Sequence, residues 1–275
     1  MSKVIDNIDN YLFIEPSAGS GSFVRLFKQP FLAFDIAPEG ENILKQDFLS
    51  WNGVNLQNVC FIGNPPFGKR SKLAIEFFNH AASFDFTEII AFIVPVSFMK
   101  YNVQKLLNKK YKLISYDYLP ENSFTDNGKD YDIRTVFQIW VKKSDKKDLR
   151  ILKPPPIVHP DFNIWQYNAT PQSLGVIDKP WEICLYRQGY YDYNTFFFQK
   201  DKAKIFKEMK DKPKKQFFFI QPADKKTFDF LLTLDYNNLA ARNTVTPGFG
   251  KRDFVSFYME NLEKESCANG SANHC

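Results

Sequence analysis

Two short segments place residues that can do chemistry at a workable spacing. Asn64-Pro65-Pro66-Phe67 follows the apolar run Val59-Cys60-Phe61-Ile62. Consecutive prolines hold φ at about −65° and remove two backbone donors, which leaves a stiff turn of carbonyl acceptors. The Asn64 side-chain oxygen and the Pro65 carbonyl can together accept both hydrogens of a planar amino group. That arrangement draws the nitrogen lone pair out of conjugation and stabilises positive charge developing on it. Phe67 can stack on the ring that carries the amine. The second segment, Glu15-Pro16-Ser17-Ala18-Gly19-Ser20-Gly21, ends the apolar run Tyr11 to Ile14. Its glycines permit a tight turn and a close approach of backbone to ligand, although the same pattern also makes an ordinary turn. Asp35 closes a third run, Phe31 to Phe34, where a carboxylate can accept from ribose hydroxyls. A dinucleotide loop would read Gly-x-Gly-x-x-Gly and hold a pyrophosphate. Here Val24 stands in the place of the third glycine and Glu15 would repel phosphate, so a cationic ligand is the better match.

Elements able to position these groups follow from periodicity. Strands are expected over Tyr11 to Ile14, Phe31 to Phe34, Ile43 to Phe48 (a short edge), Val59 to Ile62, Glu88 to Val96, Tyr111 to Tyr118 and Thr135 to Val141. Helices are expected over 22–28, 72–83 and 102–110. Alternation of this kind calls for an α/β, doubly wound parallel sheet with ligands at the carboxyl ends of its strands. The last two strands lack a connecting helix, which predicts a hairpin and an antiparallel edge.

Taken together, the Glu15–Gly21 and Asn64–Phe67 motifs, in that order, resemble the S-adenosylmethionine-dependent N6-adenine DNA methyltransferases over residues 11–142. The resemblance implies a seven-stranded Rossmann-like methyltransferase sheet, S-adenosyl-L-methionine as cofactor and S-adenosyl-L-homocysteine as product. It implies that Glu15, Pro16, Ser17, Ala18, Gly19 and Gly21 line the methionine end of the cofactor, and that Asp35 and Ile36 meet its ribose and one adenine face. Asp47 would accept from the cofactor adenine while Phe48 packs on its ring. Asn64, Pro65, Pro66 and Phe67 would be the catalytic turn, Pro95 the proline beyond the fifth strand, and Phe124 an aromatic that sandwiches the target base. The family's aromatic contact ahead of the first strand has no clear counterpart, since few residues precede Tyr11; Ile8 or Asn10 stands at that place. The same turn chemistry serves adenine in RNA or a glutamine amide in protein, and a silent methyltransferase fold that only binds nucleic acid is a further alternative.

Composition sets the outer bounds. The chain has 275 residues, a formal charge of +5 and 17% aromatic residues, too aromatic for a disordered polymer. Its longest apolar stretches, such as Ile89 to Val96, are far short of the roughly 18 residues of a membrane span, and the first residues hold no apolar signal segment. Cys60, Cys184, Cys267 and Cys275 show no paired spacing, which predicts no disulfide scaffold and an intracellular, cytoplasmic protein. Cys267, His274 and Cys275 are too irregularly spaced for zinc, and no metal is expected. His80, His159 and His274 read as structural.

Residues 1–142 carry equal numbers of basic and acidic side chains, so the excess charge falls in 143–275. With Pro154-Pro155-Pro156 marking a stiff break, the chain divides into a cofactor-binding methyltransferase domain (1–145) and a smaller aromatic- and Lys-rich recognition region (146–275). Eight lysines crowd residues 200–215, where they could track phosphates or simply solvate a helix face. Lys69 and Arg70 beside the catalytic turn and Arg187 within Tyr186-Arg187-Gln188-Gly189-Tyr190-Tyr191 are the further expected substrate contacts. The partner this predicts is nucleic acid, DNA before RNA, with no membrane; a restriction endonuclease or partner subunit is compatible with it. In duplex DNA the target base would have to leave the stack.

Overall fold

A computed structural model describes residues 4–270, apart from 54, 121–124, 127–128, 131–132, 212–213 and 244–245. The chain forms two compact units, Met1–Pro154 and Pro155–Cys275.

In the first unit, β1 (Leu12–Glu15), β2 (Phe31–Asp35), β3 (Leu44–Lys45), β4 (Val59–Gly63) and β5 (Thr87–Pro95) run parallel. A hairpin of β6 (Lys112–Tyr118) and a long return strand completes the sheet. Its connection carries the small pair β7 (Thr125–Asp126) and β8 (Lys129–Asp130). The return strand, β9 (Thr135–Val141), lies antiparallel between β5 and β6. The resulting order, β3-β2-β1-β4-β5-β9-β6, is a Rossmann-like methyltransferase sheet with the antiparallel hairpin at its edge, as expected. Alternation along the central strands separates two apolar layers. Ile14, Phe61, Ile90 and Phe92 pack with Phe78 of helix α1 (Lys72–Ala81) and with Trp140 on one face. Phe13, Cys60, Ile62, Ile89, Ala91 and Ile139 fill the other.

Two expected helices are cut short. Over 22–28 only a 3-10 turn forms, Val24–Leu26. Phe27 is already extended and packs its ring against Phe13 and Phe31, at centroid distances of 5.2 and 5.9 Å. Over 102–110 the helix is reduced to α2 (Tyr101–Gln104). The groups that would continue it are taken by side chains: the Asn108 amide donates to Asn79 Oδ1, and the carbonyls of Gln104, Leu107, Asn108 and Tyr111 accept from the Arg150 guanidinium. Arg150 is buried and its guanidinium lies over the Trp140 ring. Asp148 accepts from the amides of Leu113 and Arg150. The charged segment after β9 therefore packs with the first unit, and the division falls after Pro154 rather than 145. That shift removes the charge contrast read from the sequence, because residues 1–154 then carry a net +3 and 155–275 a net +2.

The second unit is built on an antiparallel sheet, β10-β13-β11-β12, from β10 (Phe162–Tyr167), β11 (Ile183–Gln188), β12 (Phe196–Phe197) and β13 (Gln216–Pro222). Besides the Lys-rich α3 (Lys202–Asp211) it contains α4 (Lys225–Thr233), α5 (Tyr236–Ala241) and α6 (Lys251–Gly270), none of which stands out in the sequence. Asp224 and Asp235 cap α4 and α5 by accepting amides of their first turns. Among the described residues no helix is long and apolar enough to cross a membrane, and Cys60 and Cys184 are buried free thiols.

Candidate active site

The two motifs meet at the carboxyl edge of the first unit's sheet. β1 ends in Glu15, which is 2% exposed. Next to it β4 ends in Gly63 at φ +155°, and a Cβ there would lie 3.1 Å from Glu15 Cγ and 3.2 Å from Oε1. Glycine at this position is what lets the carboxyl lie across the end of β4. The Glu15 carboxyl has one oxygen, Oε2, buried with no hydrogen-bond partner. Burial, followed by the nearby Asp35 carboxylate, pushes its pKa up to about 8.

Asn64 begins the turn beyond β4. Its backbone carbonyl accepts from Ser17 Oγ at 3.2 Å, a direct tie between the Asn64 turn and the glycine loop. Its side-chain Oδ1 is buried and unpartnered. Pro65 is buried and Pro66 exposed, so one side of the turn is anchored and the other open. Phe67 is half-buried against the apolar layer that holds α1. Gly68, Arg70 and Ser71 then adopt positive φ (65°, 55° and 61°), a left-handed stretch that costs nothing at glycine but is unfavourable for Arg and Ser. Ser71 Oγ lies 2.7 Å from Ser97 Oγ, joining this loop to the one after β5, where Pro95 ends the strand.

Asp35 holds the loop rather than standing free beside it. Oδ2 accepts from the Gly19 amide at 2.7 Å and Oδ1 from the Ala37 amide at 2.8 Å. Both oxygens retain lone pairs for a hydroxyl. Gly19 and Gly21 have φ of +52° and +79°, and the Gly21 amide donates to the Ala18 carbonyl at 2.7 Å. Ser17 and Ala18 thus lie between β1 and the Asn64 turn, with Pro16 at the bend. Ile36 is 70% exposed beside Asp35.

Several expected residues are placed elsewhere or otherwise engaged. Asp47 caps a 3-10 turn, accepting from the Leu49 amide at 3.0 Å. Phe48 is 1% exposed and enclosed by Phe61, Phe77, His80 and Trp51, so its ring is part of the core and not open to a ligand. Ile8 packs into the layer of Phe13 and Cys60, and Asn10 is exposed ahead of β1, at the opposite end from the site. Lys69 and Arg70 are exposed directly after the turn. Phe124 and the Cys267–Cys275 tail side chains lie outside the described residues. Arg187, in the second unit, donates through Nε to the Phe249 carbonyl and through Nη1 to Gln216 and Asn168, and lies over the Phe218 ring. Half-burial of this kind makes it an internal brace, and not the base contact expected from sequence. His80 Nε2 donates to the Trp51 carbonyl, 3.0 Å away, a structural role as expected. Among the described residues no group of His, Cys, Asp and Glu could hold a metal ion.

The structure adds Thr135. It opens β9 opposite Pro95, and because β9 runs antiparallel its start lies at the edge where the parallel strands end. Its hydroxyl is buried and unpartnered, and the residue is 2% exposed. In the sequence a threonine opening a strand is merely a good β-former; only the return direction of the hairpin brings it to this edge.

No protein-family model matches the chain, and no curated protein matches it in sequence. Several solved structures are similar to it in part. The 23S rRNA methyltransferase ErmE is 11% identical over 55% of this chain and 68% of its own, with a TM-score of 0.37. An rRNA methylase from Streptococcus thermophilus is 12% identical over 52% of this chain and 92% of its own, with a TM-score of 0.32. The Type IIL restriction-modification enzyme MmeI, in complex with DNA, is 10% identical over 88% of this chain and 60% of its own, with a TM-score of 0.42. Likenesses of this extent add no weight to a functional reading, which stands on the chain's own residues.

Proposed function

We propose that the protein is an S-adenosylmethionine-dependent methyltransferase that modifies the N6 amino group of adenine in DNA. The observation that carries this reading is the buried, unpartnered Asn64 Oδ1 on a turn tied to the glycine loop through Ser17. An orphaned buried acceptor costs free energy in the resting protein, and a donor brought by substrate would relieve that cost. The cofactor fits for a related reason: Glu15 Oε2 is a second orphan, and a carboxyl at that point suits the cationic amino-acid end of the methyl donor.

The cofactor supplies a methyl group already activated on sulfonium, so the protein's work is alignment and charge stabilisation. Alignment of this kind contributes up to about 7–11 kcal/mol in favourable cases. Asn64 Oδ1 and the Pro65 carbonyl accept the two amino hydrogens, orient the lone pair towards the methyl carbon and stabilise the charge that develops on nitrogen. Phe67 stacks on the base, Asp35 meets the ribose, and Lys69 with Arg70 contacts neighbouring phosphates. No histidine is required as base.

DNA as the substrate is supported by the motif resemblance alone, since the charge contrast between the two halves is absent at the true division. Incubation with radiolabelled S-adenosylmethionine and separate DNA, RNA and protein pools, followed by nucleoside and amino-acid analysis, tests the reading. Label in N6-methyladenine from DNA is the expected result. Label in RNA adenine or in glutamine would move the substrate, and no label in any pool would contradict the proposal.

A further inference from the structure

The second unit carries an aromatic ladder that leads from its core to solvent. Tyr186 is buried, and its ring stacks on that of Tyr190 at 3.9 Å and 22°. Tyr190 in turn lies 4.4 Å from Tyr191, which is 85% exposed. The inner rungs are fixed: Tyr186 donates to Glu208 at 2.6 Å, and the Lys215 ammonium pairs with Glu208 at 2.7 Å while lying 4.8 and 4.3 Å from the Tyr186 and Tyr190 ring centroids. The loop is pinned at Gly189, whose φ of +82° and contact with Lys214 allow no side chain; a Cβ would come 2.5 Å from the Lys214 carbonyl oxygen. The backbone of exposed Lys214 therefore lies against the base of the ladder. An aromatic face open to solvent and backed by a second ring, with an exposed lysine on the adjoining backbone, matches the way unpaired nucleobases are bound: stacking for the base, charge for the phosphate.

We propose that Tyr191, backed by Tyr190, is a stacking platform for one unstacked base of a single-stranded nucleic acid, with Lys214 contacting the adjoining phosphate. This rests on the reading of the substrate as nucleic acid, though not on the role given to Asn64. Arg187, four residues earlier, is not part of the contact: its Nε and Nη1 are engaged within the unit and its guanidinium lies over the Phe218 ring.

Fluorescence anisotropy with a labelled single-stranded oligothymidylate and an abasic strand of the same length tests the platform on the full chain. Wild type is expected to bind the base-bearing strand roughly 5- to 100-fold more tightly than the abasic one. Tyr191→Ala should bind both strands alike, at the abasic level, with an unchanged circular dichroism spectrum. Tyr191→Phe should keep the discrimination, and Lys214→Ala should weaken both strands equally. Equal binding of the two strands by wild type, or wild-type affinity in Tyr191→Ala, overturns the platform and leaves the nucleic-acid reading standing. Failure of wild type to bind either strand also overturns the platform, while the nucleic-acid reading is decided separately by the labelled-methyl assay.

Discussion

The two units treat buried polar groups in opposite ways. In the second, they close on one another: Lys215 with Glu208 and Tyr186, Tyr258 with Asp161, the Tyr236 hydroxyl with the Leu231 carbonyl, the Trp181 indole with the Ile177 carbonyl. Among the described residues of that unit, no buried side-chain nitrogen or oxygen is left without a partner. In the first, Glu15 Oε2, Asn64 Oδ1 and Thr135 Oγ1 are buried and unpartnered, at the end of β1, just beyond β4 and at the start of β9, all at one edge of one sheet. Orphaned acceptors and hydroxyls of this kind cost free energy, and a polar group supplied from outside the chain would relieve that cost. The contrast separates a self-sufficient polar interior from an edge that leaves buried polar groups without partners.

Mutations that touch one side of this contrast should break function without stability, and those on the other side the reverse. Asn64→Ala carries the largest expected effect. Methyl transfer should fall at least about 10²- to 10³-fold, while S-adenosylmethionine affinity by isothermal titration stays near wild type and the urea midpoint does not fall, because the acceptor removed had no partner. Glu208→Ala should do the opposite to the second unit. It strands the Lys215 ammonium, whose side chain is 10% exposed, and should cost about 3 kcal/mol, read as a lower urea midpoint. Lys215→Met with Glu208→Leu should recover most of that loss.

Glu15→Gln should have a smaller effect and a distinctive one. The folded protein raises the Glu15 pKa to about 8, so its contribution to stability is full below the ordinary carboxylate pKa and is lost as pH rises through about 8. Urea midpoints measured between about pH 5 and 9 should therefore decline more steeply in wild type than in Glu15→Gln. Binding of a cation favours the ionised carboxylate. Titration of S-adenosylmethionine near neutral pH, in buffers of different ionisation enthalpy, should thus show proton release in wild type and less in the variant. Gly63→Ala should act through the same carboxyl: the new methyl lies against Glu15, and cofactor affinity should drop with little change in the affinity for nucleic acid.

How much of this was legible in the sequence depended on whether the signal was local. The strands of the first unit and the turn at Asn64 could be read because each is a short apolar run closed by residues with fixed backbone preferences. The truncation of α2 could not, since it depends on Asn79 and Arg150, which are distant in sequence from the groups they capture. Phe48 was expected at a cofactor ring through motif resemblance, but its neighbours Phe61, Phe77 and His80 come from β4 and α1 and enclose it. Arg187 was singled out for its aromatic neighbours in sequence, whereas its partners Phe249 and Gln216 come from elsewhere in the fold. Thr135 was missed because only strand direction gives it meaning. Helices α4 to α6 were missed because their caps, Asp224 and Asp235, stand among polar residues that read equally well as loops.

A crystal structure of the protein with S-adenosylhomocysteine bound tests the ligand edge most directly. Its amino-acid end should lie against Glu15 and the Ser17–Gly19 loop, with the sulfur facing Asn64 Oδ1 across an open space the size of an amino group and a methyl. Density for the ligand at any other edge of the sheet, or side chains closing the space between sulfur and Asn64, would contradict the assignment.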